Sequence, residues 1–111
     1  MPILAAMTGD GSATPQEAHR ATTSGDALLI DVREAWEWEE QRIPGALLIP
    51  LAEIPQRLDE IPDDREVYVH CRLGGRSGRA VDFLHEHGRP RAINVTGGIE
   101  AWEAAGLPLE G

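Results

Sequence analysis

Short apolar segments alternate along this chain with segments of helical apolar spacing, and this alternation restricts the fold more than any other feature. Runs rich in branched aliphatic residues predict buried strands at residues 27–32, 46–49, 67–69 and 91–95. Helical spacing predicts helices at residues 15–24, 34–41, 51–58, 80–87 and 99–105. This order is typical of an α/β domain with a small parallel β-sheet and helices on both faces.

The length of the chain and one capping signal define the expected domain. A chain of 111 residues is enough for one domain and leaves little room for a second. Thr14 and Glu17 have the spacing of a capping box, with Pro15 at the first helical position. We therefore expect residues 14–111 to form the domain. Residues 1–13 end in a polar, glycine-containing stretch, which predicts a flexible N-terminal segment with at most one short edge strand.

The only cysteine of the chain lies where a predicted strand ends and before a helix begins. Cys71 follows the strand at residues 67–69, and Gly74 and Gly75 allow the backbone to curl there without a steric penalty from Cβ. A curled backbone at a helix start turns N–H groups inward and forms an anion-binding site, which the helix dipole strengthens. Three arginines add positive charge: Arg72, Arg76 and Arg79. Because donors and positive charges favour a thiolate, the pattern predicts a nucleophilic cysteine that acts on anionic substrates.

The charge of the chain is unevenly distributed. The net charge is −9, which argues against a nucleic acid partner. Residues 65–91 nevertheless hold six arginines against three acidic residues, a local balance of +3, so the remainder carries −12. A small positive region in an acidic protein favours a small anionic substrate, because the local field outweighs the net charge near a cleft.

Cysteine usage and hydropathy exclude several other classes. One cysteine excludes an intramolecular disulfide and a cysteine-cluster metal site. A lone reactive thiol is stable in a reducing compartment, so we expect the protein to be cytoplasmic. No apolar run approaches transmembrane length, and we expect no membrane partner.

Three sequence blocks together resemble a known family. The blocks are Asp31-Val32-Arg33-Glu34 through Ile43-Pro44-Gly45-Ala46, then Cys71-Arg72-Leu73-Gly74-Gly75-Arg76-Ser77, and finally Gly97-Gly98-Ile99-Glu100-Ala101-Trp102. In order and spacing they resemble the signatures of the rhodanese (thiosulfate sulfurtransferase) family, specifically its single-domain type. The match extends over residues 14–109, nearly the whole chain.

The resemblance implies a two-step sulfur transfer that needs no metal or organic cofactor. The thiolate of Cys71 attacks the outer sulfur of a donor such as thiosulfate, releases sulfite and holds the sulfur as a persulfide. A thiol, cyanide or a protein acceptor then removes this sulfur. The resemblance also implies that the cysteine loop, residues 71–77, binds the substrate through the residues that follow Cys71: Arg72, Leu73, Gly74, Gly75, Arg76 and Ser77.

The roles of several residues remain open at this level. Arg72 and Arg76 are either substrate contacts or ordinary solvated charges, and Ser77 either donates its hydroxyl to the thiolate or only caps the helix. Two residues at a strand end, Asp31 and Arg33, are predicted to form a pair that supports the cysteine loop from behind.

Two alternative functions remain. Related cysteine phosphatases and arsenate reductases use Cys-x5-Arg, but the position that would hold this arginine is Ser77, and the nearest arginine is Arg76. Since the shorter loop is the size for sulfur and the longer one for phosphate, this alternative is disfavoured. The other alternative is a binding, regulatory or sulfur-relay module of the same fold with little turnover.

Overall fold

Within residues 11–111, strands of two to four residues form the sheet, and these strands all run parallel. In the computed structural model, which describes residues 11–111, the strands are β1 (Ser12–Ala13), β2 (Leu28–Asp31), β3 (Leu47–Leu48), β4 (Val67–His70) and β5 (Ala92–Val95). Their order across the sheet is β1-β5-β4-β2-β3, and every neighbouring pair is parallel. The predicted α/β fold with a small parallel sheet is confirmed.

Four α-helices and two short 3₁₀ helices connect these strands. The α-helices are α1 (Pro15–Thr23), α2 (Ala35–Glu40), α3 (Gly75–Glu86) and α4 (Gly98–Ala104), and the 3₁₀ helices are Leu51–Glu53 and Leu58–Glu60. Helix α1 begins with the predicted capping box. The Glu17 N–H donates to Thr14 Oγ1 at 3.1 Å, and the Thr14 N–H donates to Glu17 Oε1 at 2.8 Å.

Two predicted helices are wrong in extent or type. Residues 51–58 do not form one helix, because Pro55 lacks the N–H that a continuous helix requires, and the segment forms the two 3₁₀ helices instead. The helix predicted from residue 80 begins at Gly75. Gly74 has φ +114°, a conformation that allows the chain to turn directly from the strand into the helix, so residues 75–79 are helical rather than loop.

Alternate strand residues face opposite sides of the sheet, and helices cover both sides. On one side Ile30 and Val69 pack in a cluster with Leu84 of α3. On the other side Leu29 packs in a cluster with Trp102 of α4. Burial on both sides explains why these strands are almost continuously apolar in sequence.

The N-terminal segment is described only in part. Ser12 and Ala13 form the edge strand β1 beside β5, where the Asn94 N–H donates to the Gly11 carbonyl at 2.7 Å. Residues 1–10, which include most of the predicted flexible segment, lie outside the described residues. The division into residues 1–13 and 14–111 therefore stays a prediction.

The carboxyl ends of the central strands meet at one edge of the sheet. Asp31 of β2 is paired in register with His70 of β4, and Asn94 of β5 with Val69 of β4. Cys71 directly follows His70 and so lies at this edge, where parallel sheets bind their ligands. Within residues 11–111, no helix combines the length and apolar character that crossing a membrane requires.

Candidate active site

Cys71 lies at the point where β4 ends and the chain turns into α3. The residue is buried, with 1% of its surface exposed. The Gly74 N–H donates to Cys71 Sγ at 3.0 Å, and the Ser77 hydroxyl oxygen lies 3.3 Å from the same sulfur. The left-handed conformation of Gly74 brings its N–H back over the sulfur within three residues. The curled backbone expected around the thiol is therefore present.

Burial and hydrogen bonding act in opposite directions on the pKa of the Cys71 thiol. Burial is the largest influence and raises the pKa, because it disfavours the charged thiolate. The donors around Sγ lower it: the Ser77 hydroxyl and the N–H groups of Ser77, Gly74 and Leu73. Together the donors outweigh burial, so the pKa of Cys71 lies below its ordinary value, which favours a nucleophilic thiolate.

The first turn of α4 holds the carbonyl groups at the start of the cysteine loop. The Ile99 N–H donates to the Cys71 carbonyl at 2.8 Å, and the Glu100 N–H donates to the Arg72 carbonyl at 3.2 Å. The two chains approach so closely that a Cβ on Gly98 would lie 2.5 Å from both carbonyl oxygens. Because these carbonyls are held by α4, the N–H groups that follow them are free to face the sulfur.

Ser77 lies within the first turn of α3 and beside the Cys71 sulfur, rather than at the N-cap of the helix. The N-cap of α3 is Gly74, and no side chain caps the helix, so the capping alternative for Ser77 is wrong. Ser77 is fully buried, and its Oγ lies 2.6 Å from Oδ1 of Asn94 as well as 3.3 Å from Cys71 Sγ. The structure thus places Ser77 between the thiol and a residue that the sequence reasoning missed.

Asn94 is that missed residue. Its Nδ2 donates to the Gly74 carbonyl at 3.2 Å while its Oδ1 accepts from the Ser77 hydroxyl, so one amide touches both the cysteine loop and α3. The signal that could have found it is a polar residue in an otherwise apolar strand, close to the carboxyl edge of a parallel sheet.

Each arginine inside the cysteine loop is paired with a glutamate from a distant part of the chain. Arg76 donates to both carboxylate oxygens of Glu37, at 2.7 and 3.0 Å, and Arg72 Nε donates to Glu100 at 2.7 Å. Hydrogen bonding from Arg76 lowers the pKa of Glu37 to about 2. These pairs offset the positive field expected from the arginines. Substrate contact by Arg72 or Arg76 stays a prediction.

The remaining loop residues differ in exposure. Leu73 is 62% exposed, and Gly75 is the first residue of α3, with open space around the position of a Cβ. Of the two loop glycines, Gly74 has a positive φ and Gly75 does not. The structure therefore brings Gly74 and Ser77 against the sulfur, whereas Leu73 presents its side chain to solvent. Substrate binding by these residues also stays a prediction.

Asp31 and Arg33 form the expected pair at the end of β2. Arg33 Nε and a terminal guanidinium nitrogen donate to the Asp31 carboxylate at 3.0 and 2.8 Å, and both residues are buried. Arg33 also donates to the Gln41 carbonyl at 2.7 Å, just beyond α2. Helix α2 carries Glu37, the partner of Arg76. The geometry is therefore that of an indirect support, from the end of β2 through α2 to the first turn of α3.

His70 directly precedes Cys71, but its ring nitrogens contact groups other than the sulfur. Its ring is fully buried, with Nδ1 3.2 Å from the Cys71 carbonyl oxygen and Nε2 3.7 Å from Asp31 Oδ2. Burial lowers its pKa, which favours the neutral ring. This arrangement agrees with the alternation of side chains along a strand and offers no general base to Cys71.

A groove with a volume of about 350 Å³ lies between α2 and α4, beside Arg72. Its wall includes Arg33, Trp36, Glu37, Arg72, Glu100 and Glu103. Trp36 is 63% exposed there. Each arginine of the wall is paired with a carboxylate, so the positive charge of this groove beside the cysteine loop is largely offset.

A family model and several sequence relatives match most of this chain. The family model described as a rhodanese-like domain matches residues 14–105. A sulfurtransferase of Allochromatium vinosum is 42% identical over 92 residues, which are 83% of this chain and 86% of that protein. The thiosulfate sulfurtransferase GlpE of Glaesserella parasuis is 34% identical over 97 residues, 87% of this chain and 90% of that protein.

A solved structure has the same fold, and some sequence relatives are longer than this chain. The crystal structure of a rhodanese-related protein from Thermoplasma volcanium matches with a TM-score of 0.81 and 28% identity, over 89% of this chain and 96% of that one. Some relatives are longer: the chain spans 48% of a putative sulfur carrier protein, YrkF, of Bacillus subtilis, at 36% identity.

Replacement of Gly98 tests the close approach of α4 to the cysteine loop. Gly98→Ala would place a methyl group 2.5 Å from two carbonyl oxygens at φ +59°, so we expect a loss of about 2 kcal/mol or more in the free energy of unfolding. Gly75→Ala is the matched control, because it has open space and should change stability by less than about 1 kcal/mol. Denaturant unfolding measures both, and equal effects of the two variants would contradict the close approach.

The Glu37–Arg76 pair predicts a specific acid dependence of stability. The pKa of Glu37 is lowered from 4.5 to about 2, so its ionised form stabilises the fold above about pH 4.5 and this contribution is lost as the pH falls toward 2. Glu37→Gln should cost roughly 1–2 kcal/mol at neutral pH and less near pH 2. Glu39→Gln, an exposed neighbour on α2, is the control. A Glu37→Gln deficit that stays constant over this pH window would disprove the pairing.

Proposed function

Because the chain belongs to the rhodanese-like sulfurtransferase family, we propose that it transfers sulfane sulfur through a persulfide on Cys71. The observation that carries this proposal is the buried thiol at the carboxyl edge of the sheet, with an N–H donor 3.0 Å from its sulfur and a lowered pKa. Those features stabilise a sulfur anion in a site that is largely closed to water.

The proposed reaction has two steps, and in each step an anion attacks a sulfur atom and a bond to that sulfur breaks. In the first step the Cys71 thiolate attacks the outer sulfur of thiosulfate or a similar donor. A sulfur–sulfur bond forms at Sγ, the bond within the donor breaks, and sulfite leaves with its electron pair. In the second step a thiolate or cyanide attacks the terminal sulfur, and the bond to Sγ breaks. The acceptor leaves as a persulfide or as thiocyanate, and the Cys71 thiolate is regenerated.

The backbone of the cysteine loop is the part of the site that handles the negative charge. Before the attack the charge is on Sγ, and afterwards it is on the terminal sulfur of the persulfide. The N–H groups of Leu73, Gly74 and Ser77 support both states because they are fixed before the reaction begins. No metal or organic cofactor is needed for these steps.

The ion pairs of the loop favour sulfur over phosphate as the transferred group. In the phosphatase alternative, an arginine of the loop must bind phosphate oxygens with its guanidinium fork. Both terminal nitrogens of Arg76 are already bonded to Glu37, and position 77 is a serine. A phosphate would have to break a partly buried bidentate pair before it could bind, whereas a persulfide needs only the loop N–H groups.

We also propose the substrate classes and compartment that this chemistry implies. The donor is a small anionic sulfur compound, and the acceptor is a thiol, cyanide or a protein. Cys71 is the only cysteine of the chain, so no second thiol of the same chain can remove the sulfur. A free thiol persists in a reducing environment, which supports the cytoplasm as the proposed compartment.

The intact mass of the protein tests the proposed nucleophile. Incubation with thiosulfate should add the mass of one sulfur atom to the wild type, and cyanide should remove it as thiocyanate appears. Cys71→Ser should neither gain sulfur nor turn over, because the only thiol is gone. Circular dichroism of Cys71→Ser checks that the fold is intact.

Three donors separate the remaining outcomes of this experiment. If thiosulfate does not load the wild type, mercaptopyruvate and polysulfide are tested in the same way. Loading by either one would keep the persulfide reaction and change the donor. Failure of all three would favour the binding module, and turnover by Cys71→Ser would refute Cys71 as the nucleophile.

A further inference from the structure

The Ser77 hydroxyl has one hydrogen and two acceptors within reach. Its Oγ lies 2.6 Å from Asn94 Oδ1 and 3.3 Å from Cys71 Sγ. A hydroxyl donates a single hydrogen bond but accepts others through its lone pairs. The shorter distance makes Asn94 the preferred acceptor while the thiol is neutral. In that state Ser77 Oγ offers a lone pair to the S–H of Cys71 rather than a hydrogen.

The amide of Asn94 cannot exchange its donor and acceptor ends. Its Nδ2 lies 3.2 Å from the Gly74 carbonyl oxygen, which also accepts the Gly78 N–H at 3.0 Å. A carbonyl oxygen only accepts, so the amide nitrogen must face it and Oδ1 must face Ser77. The backbone of Asn94 is fixed in the sheet, where its N–H donates to Gly11 at 2.7 Å. Asn94 therefore presents Ser77 with a fixed acceptor.

We propose that Asn94 is a positioning residue that competes with Cys71 Sγ for the Ser77 hydrogen and thereby limits how strongly the site favours the thiolate. When Cys71 ionises, the charged sulfur is the stronger acceptor, and the hydroxyl rotates toward it. The hydrogen bond to Asn94 is then lost, and this loss opposes ionisation. The thiol proton leaves to solvent, whereas the hydroxyl hydrogen stays on Ser77 Oγ and only the direction of its donation changes.

The charged groups around the thiol do not take part in this competition. They come from β2, α2, β4, the cysteine loop, α3 and α4, and they are Asp31, Arg33, Glu37, His70, Arg72, Arg76 and Glu100. The carboxylates and guanidinium groups among them pair with one another, and His70 is buried with a lowered pKa. A substitution of Asn94 leaves each of these pairs in place.

A double-mutant cycle on the thiol pKa tests the proposal. The four proteins are the wild type, Asn94→Leu, Ser77→Ala and the double variant. The pKa of Cys71 is read from the pH dependence of alkylation by iodoacetamide and from the ultraviolet absorbance of the thiolate. Cys71 is the only cysteine, so both signals report this thiol alone.

The cycle has a defined expected result. Asn94→Leu should lower the pKa of Cys71 when Ser77 is present. In the Ser77→Ala background the same substitution should lower this pKa by about half a unit to one unit less. Effects of the new apolar side chain, or of the lost bond to Gly74, occur in both backgrounds and cancel. A coupling of zero would overturn the proposal, since Asn94 would then act on the loop alone. A coupling of opposite sign would also overturn it, since Asn94 would then help Ser77 to donate.

The experiment remains decisive if one variant fails to fold or if the proposed function is wrong. Asn94→Ala is measured in the same cycle. It leaves a cavity where Asn94→Leu fills the space, so the two variants disturb the packing in different ways. The proposal rests on the proposed function only for its relevance to catalysis. The pKa readout uses no sulfur donor, so absent sulfur transfer with an intact coupling would refute the function and leave the role of Asn94 standing.

Discussion

The hydrogen bonds from the first turn of α4 to the Cys71 and Arg72 carbonyls are the interactions on which the site depends. A peptide group has its N–H and C=O on opposite sides, so holding the carbonyls on one side turns the following N–H groups to the other. Arg72 and Leu73 supply these N–H groups, and the Leu73 N–H is among the donors that lower the pKa of Cys71 on that other side. The close approach is possible only because Gly98 has no Cβ. A contact with a distant part of the chain thus defines the backbone geometry around Cys71.

Ion pairs explain why the arginines inside the cysteine loop, Arg72 and Arg76, do not act as free cations beside Cys71. The loop arginines are neutralised by Glu37 and Glu100, which come from α2 and α4. The same pairs link these two helices to the cysteine loop, and the partly buried Arg76–Glu37 pair contributes more to its position than the exposed Arg72–Glu100 pair. Stabilisation of the sulfur anion then falls to backbone N–H groups, whose dipoles are directed at the sulfur and carry no net charge.

The sequence was sufficient for the fold and for the position of the thiol, and insufficient for contacts between distant segments. Strand and helix periodicity is local, so the parallel sheet and the place of Cys71 could be predicted. The start of α3 at Gly75 was missed because a glycine-rich turn lacks apolar periodicity. The pairing of Arg76 with Glu37 was missed because they lie 39 residues apart and only the folded chain brings them together. Asn94 was overlooked for the same reason.

The competition for the Ser77 hydrogen explains why an acceptor, Asn94 Oδ1, lies beside the Ser77 hydroxyl. Stabilisation of the thiolate alone would not require this acceptor. A site built only to ionise Cys71 would leave the Ser77 hydroxyl free to donate to Sγ, yet Asn94 is held in place to accept the same hydrogen. The nucleophilicity of a thiolate falls as its pKa falls, and the most effective attacking thiol has a pKa near the ambient pH. The loop N–H groups keep the thiolate populated, and Asn94, by limiting the fall in the pKa of Cys71 that they produce, preserves the reactivity of the thiolate. In the persulfide that we propose, Sγ is the neutral inner sulfur, so the hydrogen would return to Asn94 and the same contact would stabilise the sulfur-loaded protein relative to the free thiolate.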